Sequence, residues 1–460
     1  MLHRRVTSAL PRAAAPRQRR RTAFPGWRVV RVLAVTETVS YAALYYCFAV
    51  MVAPMRAELG ASTAVISGAL SLGIAVSGAA APAVGRYVDR HGARMVMTGG
   101  SIVAGAGVLA WSQARTVPQL YAAFVVIGVA SALVLYEPAF AVINTWFHRR
   151  RRAALLTMTV VAGFSSTIFL PLAQALVDRL GWRGALLVLA GLVGACAIPH
   201  AVVLRRAPAD HGLSPDGTLR CPEHVSEPTG GHDGSSSPAG PVVAVAVRRL
   251  TFAHLMHTIA VTVVAVHLVG YLVQAGMSGM RAATAAGSLG VMSVTGRLVF
   301  TGVAQRLGLA ATASLIVGGQ ALGVLVLLTV PGTGGVVLFV LLFGSGFGVM
   351  TIARAALLGE LVPRRAFAST SGRQVLVATV GRVAAPVTAG SIISVAGYAP
   401  MFAAVAACAV AAALALASAG RSRTPVSAQD DARPALSGLA KPARQGLRSW
   451  AISSRLGTRP

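Results

Sequence analysis

The sequence predicts an all-α membrane protein: twelve transmembrane helices arranged as two pseudo-symmetric six-helix bundles. Three observations predict it. The 460 residues are 55% hydrophobic and only 12% charged, with mean hydropathy +0.69, whereas a soluble domain carries about 25% charged residues. The apolar runs are nearly continuous, and many reach the roughly 20 residues that cross a hydrocarbon core as helix; a barrel would alternate polar and apolar residues instead. Arginine recurs in every second loop, and the second half of the chain repeats landmarks of the first at a shift of about 216 residues.

The elements follow in order. Residues 1–29 form a basic tail: nine arginines precede residue 32, and no Asp or Glu occurs before Glu37. An organellar transit peptide has a similar composition, but the plainer reading is a cytoplasmic tail that orients the first helix. The N-terminal bundle covers 30–204, with spans over 30–53, 64–84, 95–113, 118–144, 153–177 and 183–204. Residues 205–249, rich in Pro, Gly, Ser and His, read as a solvated cytoplasmic linker. The C-terminal bundle covers 250–420, with spans over 250–273, 283–303, 309–330, 335–358, 370–395 and 400–419. Residues 421–460 have the composition of a disordered cytoplasmic tail. One set of loops holds Arg86, Arg90, Arg94, Arg149 to Arg152, Arg205, Arg206, Arg248, Arg249, Arg306, Arg364 and Arg365. The alternate set holds only Arg56, Arg115, Arg179, Arg183 and Arg281. By the positive-inside rule the chain is a multi-pass protein of the plasma (inner) membrane with both termini cytoplasmic.

The repeat is visible residue by residue. Ser71-Leu72-Gly73 recurs as Ser288-Leu289-Gly290, Gly128 as Gly344, Pro171 as Pro386 and Gly181-Trp182 as Gly397-Tyr398. Asp89-Arg90-x-Gly92 recurs as Gln305-Arg306-x-Gly308, without the acid. Two copies of one bundle place a shared site between them near the bilayer midplane.

The stretch Gly85-Arg86-Tyr87-Val88-Asp89-Arg90-His91-Gly92-Ala93-Arg94 packs four Asp or Arg charges between two apolar runs. Its pattern, Gly-x-x-x-Asp-Arg-x-Gly-x-Arg, resembles the signature loop between the second and third helices of the major facilitator superfamily of transporters. Trp146-Phe147, Gly163 to Pro171, Gly181-Trp182-Arg183 and the element His211 to Gly217 resemble its monocarboxylate and oxalate porter-like branches. The resemblance implies secondary transport of a small organic solute by alternating access. It also implies that Gly85, Asp89, Arg90, Gly92 and Arg94 act as a conformational latch, with Asp89 placed just before the third helix, where a carboxylate suits the positive helix end.

Ionisable residues inside spans cost roughly 2.5–3.5 kcal/mol each on insertion scales, so each needs a partner or a role. Glu37 lies about 10 Å into the first span at 1.5 Å per residue. Glu137 stands beside Pro138 in the fourth span, Arg297 in the eighth, Arg354 in the tenth, and Arg373 and Arg382 in the eleventh. Arg354 falls opposite Glu137-Pro138 in the repeat, and His254 opposite Glu37. The candidate assignment follows from chemistry: Arg297 and Arg382 bind an anionic group on the cargo, since the guanidinium fork suits a carboxylate. Tyr41 and Tyr45, a turn or two from Glu37, line the same cavity, and Glu37, Glu137 and His254 couple transport to protons. The competing reading of these residues is buried pairs that only fix helix packing.

Other classes are disfavoured. The net charge of +28 sits in tails and alternate loops, as in a membrane protein facing anionic lipid, so no nucleic-acid partner is expected. Cys47, Cys196, Cys221 and Cys408 form no Cys-x-x-Cys pair, and neither a metal site nor a disulfide framework is expected. There is no phosphate-cradling Gly-x4-Gly-Lys-Ser/Thr run and no nucleophile with a base, so no cofactor and no enzyme activity are expected. The expected partners are a small-molecule substrate, the lipid bilayer, and protons or another coupling ion. Export of hydrophobic drugs or metabolites, and a non-transporting membrane sensor, are the alternative functions.

Overall fold

The computed structural model describes residues 24–205, 208, 216, 241–362 and 364–421. The basic tail up to residue 23, most of the linker, Cys221 and the segment after Arg421 lie outside the described residues. Those described fold entirely into helices and their connections.

Eleven apolar helical stretches are long enough to cross a membrane. They are α1 (Gly26–Leu59), α2 (Thr63–His91), α3 (Ala93–Gln113), α4 (Val117–Trp146), the stretch Ala153–Val203, α7 (Pro241–Gln274), α8 (Gly279–Leu307), α9 (Leu309–Thr329), α10 (Gly332–Leu361), α11 (Arg364–Ala396) and α12 (Tyr398–Arg421). The stretch Ala153–Val203 has 51 residues, about 75 Å of helix against a hydrocarbon core of about 30 Å. It breaks at Gly181, whose backbone (φ 69, ψ 168) is not helical, and so makes two crossings, α5 (151–180) and α6 (182–203). Among the described residues the crossings number twelve, and the even number brings the start of α1 and the end of α12 to one face.

The repeat is written into the backbone. Ser62 and Ser278 cap α2 and α8 by accepting hydrogen bonds from Val65 N and Arg281 N, the usual role of serine at a helix start. Gly60 and Gly276 end the preceding helices with positive φ, Gly92 and Gly308 join α2 to α3 and α8 to α9, and Gly181 and Gly397 join α5 to α6 and α11 to α12. Members of each pair are about 216 residues apart, and all adopt a backbone that an L side chain resists.

Most helices outrun their apolar cores. The stretch from Gly85 to His91, expected as a loop, is the last part of α2, and only Gly92 turns the chain. Asp89 therefore stands in the last turn of α2 and not in a loop, four residues ahead of the start of α3. Charged residues extend the helix because the backbone gains hydrogen bonds into the headgroup region, where the charges stay wet. Likewise α7 starts at Pro241, ahead of the expected 250; proline suits the first helical position.

One apolar core runs through both halves away from the basic face, with Phe48, Trp111 and Phe124 on one side and Phe339, Phe343 and Phe402 on the other. Toward the basic face it divides. Leu33, Trp146 and Met158 belong to a core confined to the N-terminal bundle, and Leu250, Phe300 and Leu358 to one confined to the C-terminal bundle. Apolar side chains such as Met95 and Val395 remain exposed on the outside, as lipid-facing positions do.

The halves meet along α2–α11 and α5–α8. Far from the basic face the backbones nearly touch: a Cβ added at Gly390 would lie 2.8 Å from Ala64 Cα, and Thr167 donates to the Gly287 carbonyl at 2.7 Å. Toward the basic face, positions Gly85, Gly302 and Gly372 face open space. The gap between the bundles opens on that side.

Two polar clusters tie the N-terminal bundle together. At the rim opposite the basic face, Arg183 pairs with Glu58 at 2.7 Å and donates to the carbonyls of Ser112 and Ala114. Trp182 Nε1 donates to the same Glu58 at 2.6 Å. On the basic face, Asp216 accepts from the backbone N–H groups of His148, Arg149 and Arg150 at 3.1, 2.6 and 3.2 Å. Burial alone would raise the Asp216 carboxyl, but these three donors outweigh it and hold it below the ordinary aspartate range. The acid sits at the N-terminus of α5, where the helix dipole and the surrounding arginines favour a negative charge.

Candidate functional site

Several helices are irregular at mid-membrane. In α1 the segment Ala42–Tyr46 is a π-helix, which widens the turn and splays its side chains. In α4 the helix breaks at Leu135 (φ −82, ψ −165). Pro138 explains this: it has no N–H for the carbonyl one turn back, and its ring clashes there. In α5 the break is at Gly163-Phe164, and in α10 at Phe347-Gly348. Interrupted helices at mid-depth are tolerated where they line a cavity.

The π-turn gathers tyrosines. Tyr41 and Tyr46 have ring centroids 6.4 Å apart, Tyr45 and Tyr46 5.3 Å, and Tyr136, from just past the α4 break, lies 4.6 Å from Tyr41. Across the gap, Arg297 of α8 interacts electrostatically with Tyr136 and Tyr46. Arg382 of α11, exposed in the gap, does so with Tyr41, Tyr45 and Tyr46. The structure thus brings Arg297, Arg382, Tyr41 and Tyr45 to one place, and adds Tyr46 and Tyr136 to the candidates.

Glu37 is fully buried in α1, and among the described residues neither of its carboxyl oxygens has a hydrogen-bond partner. Its charged neighbour is Glu137, itself exposed. His254 is not with them. It belongs to a second group with Arg354 and Arg382, in which Arg354 donates to Ser371 at 2.9 Å and Gln374 at 3.3 Å, and Gln374 donates to Thr251. Arg382 joins the two groups.

The five residues of the signature stretch do not form one cluster. Asp89 is exposed, and no hydrogen bond or ion pair reaches it among the described residues. Arg94 donates to the Ala201 carbonyl at 2.7 Å, serving the end of α6. Gly85 faces open space, Gly92 makes the turn (φ 81), and Arg90 projects from the end of α2.

One polar group escaped the sequence reading. His200 of α6 is fully buried, with Nε2 2.9 Å from Thr36 Oγ1 and Nδ1 3.0 Å from Ser101 Oγ. It links α1, α3 and α6 beside Glu37. The signal was a histidine alone in an apolar run; its partners are 99 and 164 residues away.

The chain matches the Major Facilitator Superfamily profile over residues 33–373. The chain belongs to the major facilitator superfamily. Among relatives of this superfamily, monocarboxylate transporter 1 of Bos taurus is 33% identical over 179 residues, covering 39% of this chain and 35% of that protein. Monocarboxylate transporter 4 of Mus musculus is 33% identical over 144 residues, covering 30% of each. The chain spans about a third of the length of these relatives. Among solved structures, a bacterial homolog of the human lysosomal transporter Spinster, in an inward-facing and occupied conformation, superposes with a TM-score of 0.66 at 13% identity, covering 87% of this chain and 98% of that one. A POT family transporter in complex with 5-aminolevulinic acid gives 0.66 at 14%, covering 86% and 96%. These likenesses establish the superfamily fold.

Proposed function

We propose that this chain is a secondary transporter that carries a small organic anion of the monocarboxylate class, together with protons, by alternating access. The observation that carries the reading is the meeting of Arg297 and Arg382 from one half with Tyr41, Tyr45, Tyr46 and Tyr136 from the other. The guanidinium forks take the carboxylate, and tyrosine hydroxyls add donors on the opposite wall. Beyond Tyr46 the wall is apolar, with Leu170, Val264, Leu289 and Phe347 around a void no larger than a water molecule. Similarity to monocarboxylate transporters supports the cargo class. The arginine-rich face is assigned to the cytoplasm of the plasma (inner) membrane.

Cargo bound across the gap draws the two bundles together on the basic face, and they then part on the other. An unpaired charge at Glu37 would cost several kcal/mol in this environment, so its proton occupancy depends on whether water or cargo reaches it. Glu137 and His254 lie along the same gap and pass protons to and from solvent.

The test is uptake of radiolabelled pyruvate, lactate and benzoate into proteoliposomes under an inward proton gradient. Saturable flux is expected. Arg297→Gln lowers kcat/KM by about 10- to 100-fold, the worth of a charged hydrogen bond, and Glu37→Gln removes the dependence on the gradient. Absence of saturable flux for all three probes, or flux indifferent to Arg297→Gln, overturns the reading; binding without flux makes the chain a sensor.

A further inference from the structure

Gly348 sits at the break in α10, between the helical segments Gly332–Gly346 and Val349–Leu361. Its carbonyl accepts from Arg297 Nε at 3.4 Å and from the Thr351 hydroxyl at 2.6 Å. Ser293 and Arg297, one turn apart on α8, lie on the same helix face, and both press on this glycine. A Cβ added at Gly348 would collide with Ser293 Oγ, and would stand 2.6 and 2.7 Å from Arg297 Nη2 and Nε.

The identity of the obstructing atoms decides what an added methyl group would move: at Gly346 it meets the Gln320 side chain, and at Gly344 the Met292 side chain. At Gly296 a Cβ would strike the backbone of Ser345, and at Gly335 the backbone of Val330; those glycines permit helices to pack. At Gly348 a Cβ meets the tips of two movable side chains. A methyl group there requires these side chains to shift.

We propose that Gly348 is a positioning residue for transport: by lacking a side chain it lets the Arg297 guanidinium lie against the α10 backbone, with Nε held by the glycine carbonyl, so that the cargo carboxylate meets the arginine in one orientation. The inference rests on the reading of Arg297 as the carboxylate-binding residue. It adds that α10, through a backbone break, sets how tightly a monocarboxylate is held, although Gly348 itself offers the cargo no side chain.

The experiment measures KM and kcat for the same three radiolabelled monocarboxylates in proteoliposomes, with Arg297→Gln, Gly348→Ala and Ser293→Ala/Gly348→Ala beside the unaltered chain. Gly348→Ala is expected to raise KM by about tenfold or more, since misplacing a binding group by an ångström has effects of that order, with kcat and the melting temperature little changed. Removing the Ser293 hydroxyl vacates space beside the guanidinium, into which Arg297 moves off the new methyl group, and the double variant recovers part of the lost affinity. A purely architectural glycine would show the opposite: a lower melting temperature, with no recovery in the double variant. That outcome overturns the proposal, as does an unchanged KM in Gly348→Ala while Arg297→Gln is crippled; both leave the carboxylate reading standing. No uptake by the unaltered chain, or full uptake by Arg297→Gln, removes the reading and this inference together.

Discussion

Consider Gly390→Ala. Gly390 stands in α11 where it crosses the start of α2, on the side away from the arginine-rich face. The added methyl carbon would lie 2.8 Å from Ala64 Cα, 2.9 Å from Thr63 O and 3.0 Å from Ala64 N. These are backbone atoms, so no side chain can swing aside. Restoring ordinary contact requires the two helices to part by about 0.5–1 Å. Overpacking of this kind costs about 1–3 kcal/mol, and the cost falls only on the state in which these helices touch. The equilibrium between that state and the one parted there should shift by about 5- to 150-fold. Spin labels at Ala57 and Ala399, both exposed near this rim, read the shift as growth of a longer-distance population, in a background lacking the native cysteines. Gly372→Ala is the control, because no atom lies within 4 Å of the added carbon there. Identical distance distributions in Gly390→Ala and the unaltered chain, or equal changes in Gly372→Ala, would refute the reasoning.

Asp216→Ala removes the acceptor for the amides of His148, Arg149 and Arg150, and their hydrogen exchange at neutral pH should quicken roughly tenfold, about 1.4 kcal/mol of local opening. Because the Asp216 carboxyl is held below its ordinary range, its hold on the linker is complete above the ordinary aspartate pKa and is lost as pH falls through the lowered value; protection that weakens with rising pH would contradict this. His200→Ala leaves Thr36 and Ser101 without their shared partner in a buried setting, at a cost of about 2–4 kcal/mol including the cavity, and a melting temperature within a degree of the unaltered chain would show the network to be idle.

The spans were legible because hydrocarbon thickness imposes a minimum apolar length, and the duplication was legible because glycines at sharp turns resist replacement. The ends of the helices were not. At Gly85 to His91, charge reads as loop, although a helix continues readily into the wet headgroup layer. The break in α4 had a visible cause in Pro138, whereas the break at Phe347-Gly348 had none that stands out among 49 glycines. Arg297, Arg382, Tyr41 and Tyr45 could be singled out as charge or hydroxyl in apolar runs, and they do converge. The separation of His254 from Glu37 could not be foreseen, because pseudo-symmetry relates positions in the two halves without fixing which helix faces the gap. His200 was invisible for a related reason: its hydrogen bonds join segments far apart in the chain.

The Arg183 cluster has a consequence for how the two halves are held. One guanidinium there binds the end of α1 through Glu58 and the end of α3 through two carbonyls, while projecting from α6. The corresponding positions of the second half, at the start of α12 and the end of α7, carry Ala399 and Gln274, and Tyr271 of α7 makes the joint instead, donating to the Leu327 carbonyl of α9 at 3.2 Å and packing against Tyr398 and Phe402 of α12. The first half is keyed at its far edge by charge, and the second by stacked rings and one neutral hydrogen bond. Raised salt should therefore loosen the first joint and leave the second as it is.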